Sequence, residues 1–328
     1  MRLVGLVENE LLKLVRRGRL ALVSLLLFLF ISISVWGQHR QEQNRIQNNS
    51  NLDFRARTEQ RMSELSRQAK ERRIFVGFTR FLSFEIERLR YHLALDLDPE
   101  RRTGPVFVRG FALFGTGLFF PMLVVVLGAD VMSSEFALGT VKLLLTRPVR
   151  RATIVLSKFL AVAISATLLL LLAAGLAWLI GGAVFGWSGF GAPVITGFRF
   201  SESGVDVRGV RVAPLWMDTL ATFGLAWAAT LTVASVAVLA SVVFHGATSA
   251  MGSLMALLVA GSLLGQLAED WAPAKYLFVT CLPIAQYHSG VPPPVAGMSV
   301  SWCLGVLALA SALSLVLGML VLERRDVE

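Results

Sequence analysis

The sequence has little charge for its length. Charged residues make up 16% of the 328 residues, whereas hydrophobic residues make up 55% and the mean hydropathy is +0.65. A soluble domain of this length cannot bury so much apolar surface, so the composition predicts a polytopic membrane protein. A net charge of +9 would suggest nucleic acid in a soluble protein. Here the basic residues flank apolar stretches, which favours lipid headgroups as their partners, and we expect no nucleic acid.

Motifs for catalysis, nucleotide binding and metal binding are missing as well. The chain contains no GxxxxGK[ST] sequence, and no Gly-Lys pair at all, so it cannot form a P-loop of its own. Its four histidines are scattered without HExxH spacing, and no Ser/His/Asp or Cys/His grouping suggests hydrolysis. We therefore expect no catalytic residue, no metal site, no cofactor bound by this chain and no enzyme activity of this chain alone. The two cysteines, Cys281 and Cys303, leave two interpretations open: a disulfide on the outer side or two buried thiols.

Long apolar stretches predict an all-α fold with six transmembrane helices. The second stretch is interrupted by Gly115, Gly117 and Pro121. The apolar run 216–268 is too long for one helix, and we divide it by a tight turn at residues 244–246. The expected spans are residues 20–36, 107–129, 154–185, 216–244, 247–268 and 300–322.

The connecting segments differ in character. Residues 1–19 are amphipathic and basic, which predicts an interfacial helix. Residues 37–106 hold 14 Lys/Arg and 10 Asp/Glu, with apolar residues at helical spacing, which predicts a mostly helical extramembrane insertion. This insertion is either a solvated helical hairpin or a cap or contact site for another protein. Residues 269–299 are apolar and rich in proline, which predicts a short re-entrant or interfacial helical pair.

Basic residues predict the orientation. With both termini in the cytoplasm, Lys and Arg concentrate in the cytoplasmic segments 1–19, 130–153 and 323–328, whereas the outer loop 186–215 holds few. The basic insertion 37–106 lies outside in this scheme, which the rule tolerates because long segments cross largely regardless of charge. We expect a multi-pass protein of the cell (cytoplasmic) membrane.

Residues 130–158 combine a helix start, a helix stop and dense positive charge. Ser133 and Ser134 can cap a helix, and Pro148 ends it near residues 146–147. Within it, Glu135, Gly139, Lys142 and Thr146 form one polar stripe. Such an amphipathic helix is either an interfacial anchor for the next span or a docking element for a soluble partner. Lys158 opens the third span, where its side chain can snorkel to the interface.

Two further patterns bear on function. Ionisable residues such as Asp130, Asp218 and Arg109 lie near the ends of predicted spans, whereas secondary carriers and ion pumps usually hold charges at mid-membrane. A secondary carrier is therefore disfavoured. In the fifth span, small residues recur every four positions, which suits either packing within one subunit or a dimer contact. These residues are Gly252, Ala256 and Ala260.

Taken together, these features resemble the membrane subunit of an ATP-binding-cassette type 2 exporter. The most specific match is a motif that runs from Glu135 through Gly139-Thr140 to Lys158. Glu10-Leu11-Leu12-Lys13 with the following Arg16 and Arg17 resembles the connecting helix of that family. The motif's remaining matching residues are Leu144, Thr146, Arg147, Pro148, Arg150 and Arg151.

The resemblance implies a permease that works with two copies of a separate cytoplasmic ATPase, which binds ATP and Mg²⁺. A second permease is implied as well, either an identical copy in a homodimer or a different chain in a permease pair. It also implies that the helix at residues 134–147 is a coupling helix, in which Glu135, Lys142, Arg147 and Arg150 transmit nucleotide-driven movement. On this basis a Glu135→Lys or an Arg147→Glu change is expected to uncouple transport from ATP hydrolysis while leaving membrane insertion intact. The alternative is a non-transporting scaffold or sensor that uses residues 37–106. The apolar spans favour an amphipathic or lipid-like cargo, such as a drug, a peptide or a lipid-linked molecule.

Overall fold

The computed structural model describes residues 3–49, 53–71, 76–99, 101–140, 150–201, 204–206, 209–267, 271–295 and 297–324. The chain begins with four helices, α1 (Leu3–Arg16), α2 (Arg19–Asn49), α3 (Phe54–Glu71) and α4 (Val76–Ala94). Of these, α2 contributes buried residues such as Val23, Leu27 and Ile31 to the core of the bundle. The next group comprises α5 (Gly104–Gly117), α6 (Phe119–Gly128), α7 (Ser133–Ala137) and α8 (Arg151–Phe185).

The second half begins with four short strands, β1 (Pro193–Thr196), β2 (Arg199–Ser201), β3 (Gly204–Asp206) and β4 (Arg211–Pro214). Two long helices follow, α9 (Leu215–Val243) and α10 (Ala247–Leu267). A 3₁₀ turn (Ala272–Tyr276) then leads into α11 (Phe278–Cys281) and α12 (Ile284–His288), and the last helix is α13 (Val300–Arg324).

The chain is an all-α polytopic membrane protein, as its composition predicts. Six helical stretches among the described residues are long and apolar enough to cross a membrane. They are Arg19–Gln47, Phe119–Ala137, Arg151–Phe185, Leu215–Val243, Ala247–Gly265 and Val300–Arg324. The second of these begins later than the expected 107–129, because the chain breaks at Leu118 between α5 and α6.

Two helices are much longer than the bilayer is thick. Helix α2 has 31 residues and α8 has 35, which gives lengths of ~46 and ~52 Å against a hydrocarbon core of ~30 Å. The expected first span, 20–36, is therefore only the apolar part of a helix that continues to Asn49. The two ends of α2 mark the two ends of the bundle, and we name them the α1 end and the hairpin end.

Helix α9 lies at the centre of the bundle. It packs against α5, α6, α8 and α13, and its buried side is made of small residues such as Ala229, Ala234 and Ala237. In lipid, burial of apolar surface gives no net driving force for helix association. Small side chains allow neighbouring helices to approach closely, so that van der Waals packing can hold them together. By contrast, α10 and α13 have mostly exposed side chains within this chain.

The break between α5 and α6 places two residues in close contact. Leu118 has φ −140° and ψ −43°, which no α-helix continues. A Cβ atom on Gly115 would lie 2.6 Å from the ring of Phe120, so the bend needs a glycine at this position. Gly115, which the sequence identified as an interruption, is thus required because the ring of Phe120 folds back onto α5.

At the hairpin end, α3 and α4 pair with each other, and α4 packs against the strands. Phe84 and Tyr91 of α4 meet the ring of Phe198 edge-on, with ring centroids 5.4 and 5.7 Å away. The loop expected at residues 186–215 therefore contains two antiparallel ribbons, β1 with β4 and β2 with β3. The β-branched residues Ile195 and Val212 lie opposite each other in the β1–β4 pair and favour extended backbone.

The proline-rich segment forms the short helical pair expected within residues 269–299. Helix α11 contacts α10 and α13, and α12 contacts α5 and α9. Within this helical pair, Cys281, Leu282 and Ile284 are buried. Cys281 and Cys303 are both free and buried, so the two thiols are not joined in this structure.

Candidate functional site

The segment that follows α6 turns sharply at the α1 end of the bundle. Helix α7 stops at Ala137, and Gly139 adopts φ +69°, a left-handed conformation that terminates helices. The single helix expected over residues 134–147 is therefore interrupted after one turn. Residues 141–149 lie outside the described part of the chain, so the coupling roles expected for Lys142, Leu144, Arg147 and Pro148 stay predictions.

The two serines of α7 do not cap it as expected. Met132 occupies the N-cap position without a side-chain hydrogen bond. Instead, the Oγ atoms of Ser133 and Ser134 donate to the carbonyl oxygens of Ala129 and Asp130, one turn earlier. The serines thus continue the hydrogen bonding of the preceding turn.

Two lysines and two glutamates meet beside α7. We name Glu10, Lys13, Glu135 and Lys158 the charge cluster. Lys158 Nζ lies 3.1 Å from Glu10 Oε2 and 3.0 Å from Glu135 Oε1, and it donates to the carbonyl oxygen of Val131 at 2.9 Å. Its side chain is only 1% exposed. The expectation that Lys158 snorkels is wrong, because its charge is neutralised inside the protein.

Lys13 completes the charge cluster from the surface side. Its Nζ lies 2.8 Å from Glu10 Oε1 and 2.7 Å from Glu135 Oε1. Burial lowers the pKa of Lys13, but its hydrogen bonds to Glu10 and Glu135 outweigh this effect and hold the pKa above the usual range. The cluster has two positive and two negative groups, as burial requires. Among the described residues, Glu135 Oε2 has no hydrogen-bond partner.

A second group of charges lies next to this cluster. Asp130 is buried and contacts the guanidinium groups of Arg17 and Arg19. Arg17 also donates to Ser134 Oγ at 2.9 Å, and Arg19 donates to the carbonyl oxygen of Val126 at 2.9 Å. The linker between α1 and α2 is therefore bound to the end of α6 and the start of α7.

The last helix joins the same end of the bundle. Arg151 Nη1 donates to the carbonyl oxygens of Leu322 and Glu323 at 2.7 and 2.9 Å, where α13 has orphan acceptors. Together with the charge cluster, this contact connects α1, α7, α8 and α13. The ionic contacts join α1, α7 and α8, and the hydrogen bonds of Arg151 attach α13 to α8.

The exposed residues at this end are distinct from the buried charges. Leu138 is 71% exposed, and Gly139, Thr140, Arg150 and Arg16 are exposed as well. Glu135 is buried, so it does not present its carboxylate to a soluble partner in this structure.

The small residues of α10 face away from the rest of the chain. Gly252, Ala256 and Ala260 are all exposed, and a Cβ atom on Gly252 would meet no atom within 4 Å. Of the two interpretations from the sequence, packing within one subunit does not describe these three residues.

A cavity of about 740 Å³, the central cavity, lies beside the break between α5 and α6. Its walls come from α2, α4, α5, α6, α10, the α11–α12 pair and the segment after α12. Apart from Arg80 of α4, the side chains are largely aromatic and apolar, such as Phe30, Phe114 and Phe119. Among its polar groups, Thr280 Oγ1 donates to the carbonyl oxygens of Ala274 and Leu277. Such walls suit an apolar ligand.

A buried carboxylate lies between three helices at the hairpin end. Asp218 of α9 has a side chain that is 1% exposed; it contacts Arg109 of α5 and lies 3.3 Å from His288 Nε2 of α12. We name these three residues the Asp218 bridge. Nearby, Gln286 Nε2 donates to the carbonyl oxygen of Leu113 at 3.1 Å.

A second cavity of about 820 Å³, the end cavity, lies beyond the first at the hairpin end. It is lined by the β-ribbon segment and the start of α13. Tyr287, Val291 and Pro293 line both cavities and form the wall between them.

Sequence reasoning missed both buried ionic groups. For the charge cluster, the signal in the sequence was the position of Lys158, two turns inside an apolar helix. Such a lysine needs a buried acidic partner, and Glu10 was a candidate for it. For the Asp218 bridge, the signal was weaker, because Arg109, Asp218 and His288 are far apart in the sequence and each lies near the end of a helix.

Comparison with known proteins places the chain in a family. It is similar to "Uncharacterized protein YhcI" of Bacillus subtilis (strain 168), with 26% identity over 331 residues that cover 99% of each chain. It is also similar to "Uncharacterized membrane protein YdbK" of the same organism, with 28% identity over 209 residues, 62% of this chain and 76% of that protein. A family profile described as "Protein of unknown function (DUF2705)" matches residues 80–328, which include Glu135, Lys158 and the Asp218 bridge. The chain therefore belongs to the DUF2705 family.

Proposed function

We propose that this chain is the transmembrane subunit of an ATP-driven exporter of the ATP-binding-cassette type 2 kind. The observation that carries the proposal is the charge cluster. Through Lys158 it joins the amphipathic helix α1, the turn that follows α6 and the start of α8. A cytoplasmic partner that moves α7 would therefore move both α6, which leads into α7, and α8, which α7 contacts through Lys158.

The exposed turn beside the cluster is the proposed docking surface. Leu138, Thr140 and Arg150 project from the same connection whose buried side holds Glu135. The surface residues contact the partner in this proposal, while Glu135 acts one layer below them, as the link between the docking turn and α8. Two cytoplasmic ATPase copies, which bind ATP and Mg²⁺, supply the energy.

The central cavity is the proposed cargo site. Its apolar aromatic walls suit the hydrophobic part of an amphipathic or lipid-like molecule, such as a drug, a peptide or a lipid-linked compound. Gln286 and Thr280 direct their donor hydrogens to carbonyl oxygens, so these donors are not free to bind a small anion there. In this arrangement the α1 end of the bundle lies on the cytoplasmic side of the cell membrane, and the hairpin end lies on the outer side.

A second copy of the chain is the proposed partner of α10. The stripe of Gly252, Ala256 and Ala260 permits close approach of another helix in lipid. A Gly252→Cys variant is expected to form a disulfide-linked dimer in native membranes under mild oxidation, whereas a Leu313→Cys variant, exposed on α13, is expected to remain monomeric. Equal cross-linking of the two variants would refute a specific α10 contact.

Co-purification tests the central claim. The tagged full-length protein is solubilised gently from its native membrane, and co-purifying chains are identified by mass spectrometry. We expect a stoichiometric P-loop ATPase. A Leu138→Glu variant is expected to lose it, whereas Leu95→Glu, which changes another exposed leucine at the hairpin end (45% exposed, against 71% for Leu138), retains it.

Two outcomes would count against the proposal. Absence of any ATPase from the unmodified complex would favour the alternative, a non-transporting scaffold or sensor. Equal ATPase recovery with both leucine variants would remove the docking role of the turn after α7.

The scaffold alternative has its own structural support. The hairpin α3–α4 packs through Phe84 and Tyr91 onto the ribbon segment, which gives an ordered extramembrane surface for a partner. Nucleotide-dependent movement of a labelled amphiphile in reconstituted vesicles separates the two functions, because a scaffold moves none.

A further inference from the structure

The hairpin end contains two cavities that almost meet. The central cavity and the end cavity share a wall of three residues, Tyr287, Val291 and Pro293. All three belong to α12 or to the segment directly after it. Movement of α12 therefore changes whether the two cavities are separate or continuous.

Helix α12 lies antiparallel to α5 and is held there at three levels. His288 and Arg109 bind the same carboxylate of Asp218. One turn along, Gln286 donates to the carbonyl oxygen of Leu113. At the end nearest the helix break, Gly117 approaches Pro283, where a Cβ atom on the glycine would lie 3.7 Å from the ring.

The Asp218 bridge is the strongest of these three contacts. A carboxylate bonded to a guanidinium group makes a charge-assisted hydrogen bond, which is stronger than the neutral bond of Gln286. Asp218 lies on α9 and is almost fully buried, so it fixes α12 and α5 to the central helix. The side chain of His288 is 20% exposed and borders the end cavity, so the bridge has one arm that reaches the cavity lining.

We propose that the Asp218 bridge is a latch that keeps the wall of Tyr287, Val291 and Pro293 closed between the two cavities. When the latch is intact, the central cavity has no continuous route to the end cavity. When the contact between Asp218 and His288 parts, α12 moves away from α5 and the cavities join. The use of this route for cargo rests on the proposed export function, but the latch itself does not.

The latch is tested by thiol accessibility in the full-length protein. Ser262→Cys places a reporter thiol in the central cavity, and Ser301→Cys places one in the end cavity. The protein is reconstituted in liposomes with a charged, membrane-impermeant thiol reagent on both sides. Labelling of each reporter is read by peptide mass, which separates it from the buried Cys281 and Cys303.

Two substitutions open the latch, and one controls for lost charge. Asp218→Asn removes the carboxylate charge of the bridge, and His288→Gln removes its imidazole ring. Asp96→Asn removes the carboxylate of the exposed Arg55–Asp96 pair at the same end of the molecule. If Asp218→Asn does not yield folded protein, His288→Gln decides the test, because Arg109 still pairs with Asp218.

We expect the opening variants to increase labelling of the Ser262→Cys reporter about tenfold, as the loss of one charged hydrogen bond shifts a two-state equilibrium by roughly that factor. Asp96→Asn leaves that rate unchanged, and the Ser301→Cys reporter labels readily in every background. Unchanged labelling of the Ser262→Cys reporter in folded His288→Gln protein would overturn the latch. So would a Ser301→Cys reporter that resists labelling throughout. Neither result depends on an ATPase, so failure of the latch and failure of the proposed function are distinguishable.

Discussion

Lys158 Nζ lies 3.0 Å from Glu135 Oε1, although the two residues belong to different helices and both side chains are buried. Because Glu10 accepts from the same ammonium group, one lysine connects α1, α7 and α8. An isolated charge at this depth is costly, whereas a set of matched charges is tolerated. The contact therefore makes the position of α7 depend on that of α8.

Loss of the lysine charge is expected to destabilise the protein strongly. A Lys158→Met variant leaves Glu10 and Glu135 buried with only Lys13 as their partner, and breaking a buried ion pair costs about 3–5 kcal/mol. The free energy of unfolding in detergent, or the fraction of monodisperse protein after heating, measures the effect.

Two comparison variants make this result specific. Arg90→Met removes a cation from an exposed pair with Glu87 and is expected to change stability by less than about 1 kcal/mol. The double variant Lys158→Met, Glu10→Gln is expected to be less destabilised than the sum of the two single changes, because it leaves fewer unpaired charges. If Lys158→Met were as stable as Arg90→Met, the buried cluster would not contribute to folding.

The turn after α7 depends on glycine. Gly139 adopts φ +69°, where a β-branched side chain is strained by roughly 1–2 kcal/mol, whereas asparagine often occupies this conformation. We expect Gly139→Val to make the turn more sensitive to limited proteolysis and Gly139→Asn to leave it close to the original. Equal cleavage rates for the two variants would show that the turn tolerates another backbone conformation.

The general architecture could be predicted from the sequence because it depends on apolar segments of sufficient length. The six spans, the helical insertion and the short pair within 269–299 are all of this kind. Proline in the pair and glycine around the α5–α6 break are local signals, and they identified those features within a few residues. Span limits were less accurate where a helix continues beyond the membrane, as α2 does to Asn49.

The ionic contacts could not be predicted, because they depend on which residues of distant helices become neighbours. Glu135 illustrates the consequence. The family resemblance implies that Glu135 transmits nucleotide-driven movement, so that its replacement by lysine uncouples transport and leaves insertion intact. In the structure, Glu135→Lys would place a third lysine beside Lys13 and Lys158, with Glu10 as the acid in contact with them. We therefore expect reduced folding, and Leu138 is the better residue for testing the docking surface.

The helix break in the second span is expected to be sensitive to a single methyl group. Gly115→Ala places a Cβ atom 2.6 Å from the ring of Phe120, and such overpacking typically costs about 1–3 kcal/mol. The loss of thermal stability measures this clash. A double variant, Gly115→Ala with Phe120→Leu, is expected to recover part of it by removing the ring. Destabilisation that is the same with or without Phe120→Leu would mean that the ring is not what excludes the methyl group.

A histidine in the insertion predicts a pH dependence. Burial lowers the pKa of His92, and its Nδ1 donates to the carbonyl oxygen of Arg88 at 2.8 Å. Above the ordinary histidine pKa of about 6.5 the ring is neutral in both the folded and the unfolded hairpin, so it adds no pH dependence. As the pH falls below that value, the unfolded chain binds a proton more readily than the folded one, and the hairpin loses stability. Hydrogen exchange in α4, corrected for the intrinsic rate, is therefore expected to be less protected at acidic than at neutral pH in the original protein. His92→Gln removes the titrating group, so this difference is expected to shrink markedly, and a difference that persisted undiminished in His92→Gln would assign the pH dependence to another residue.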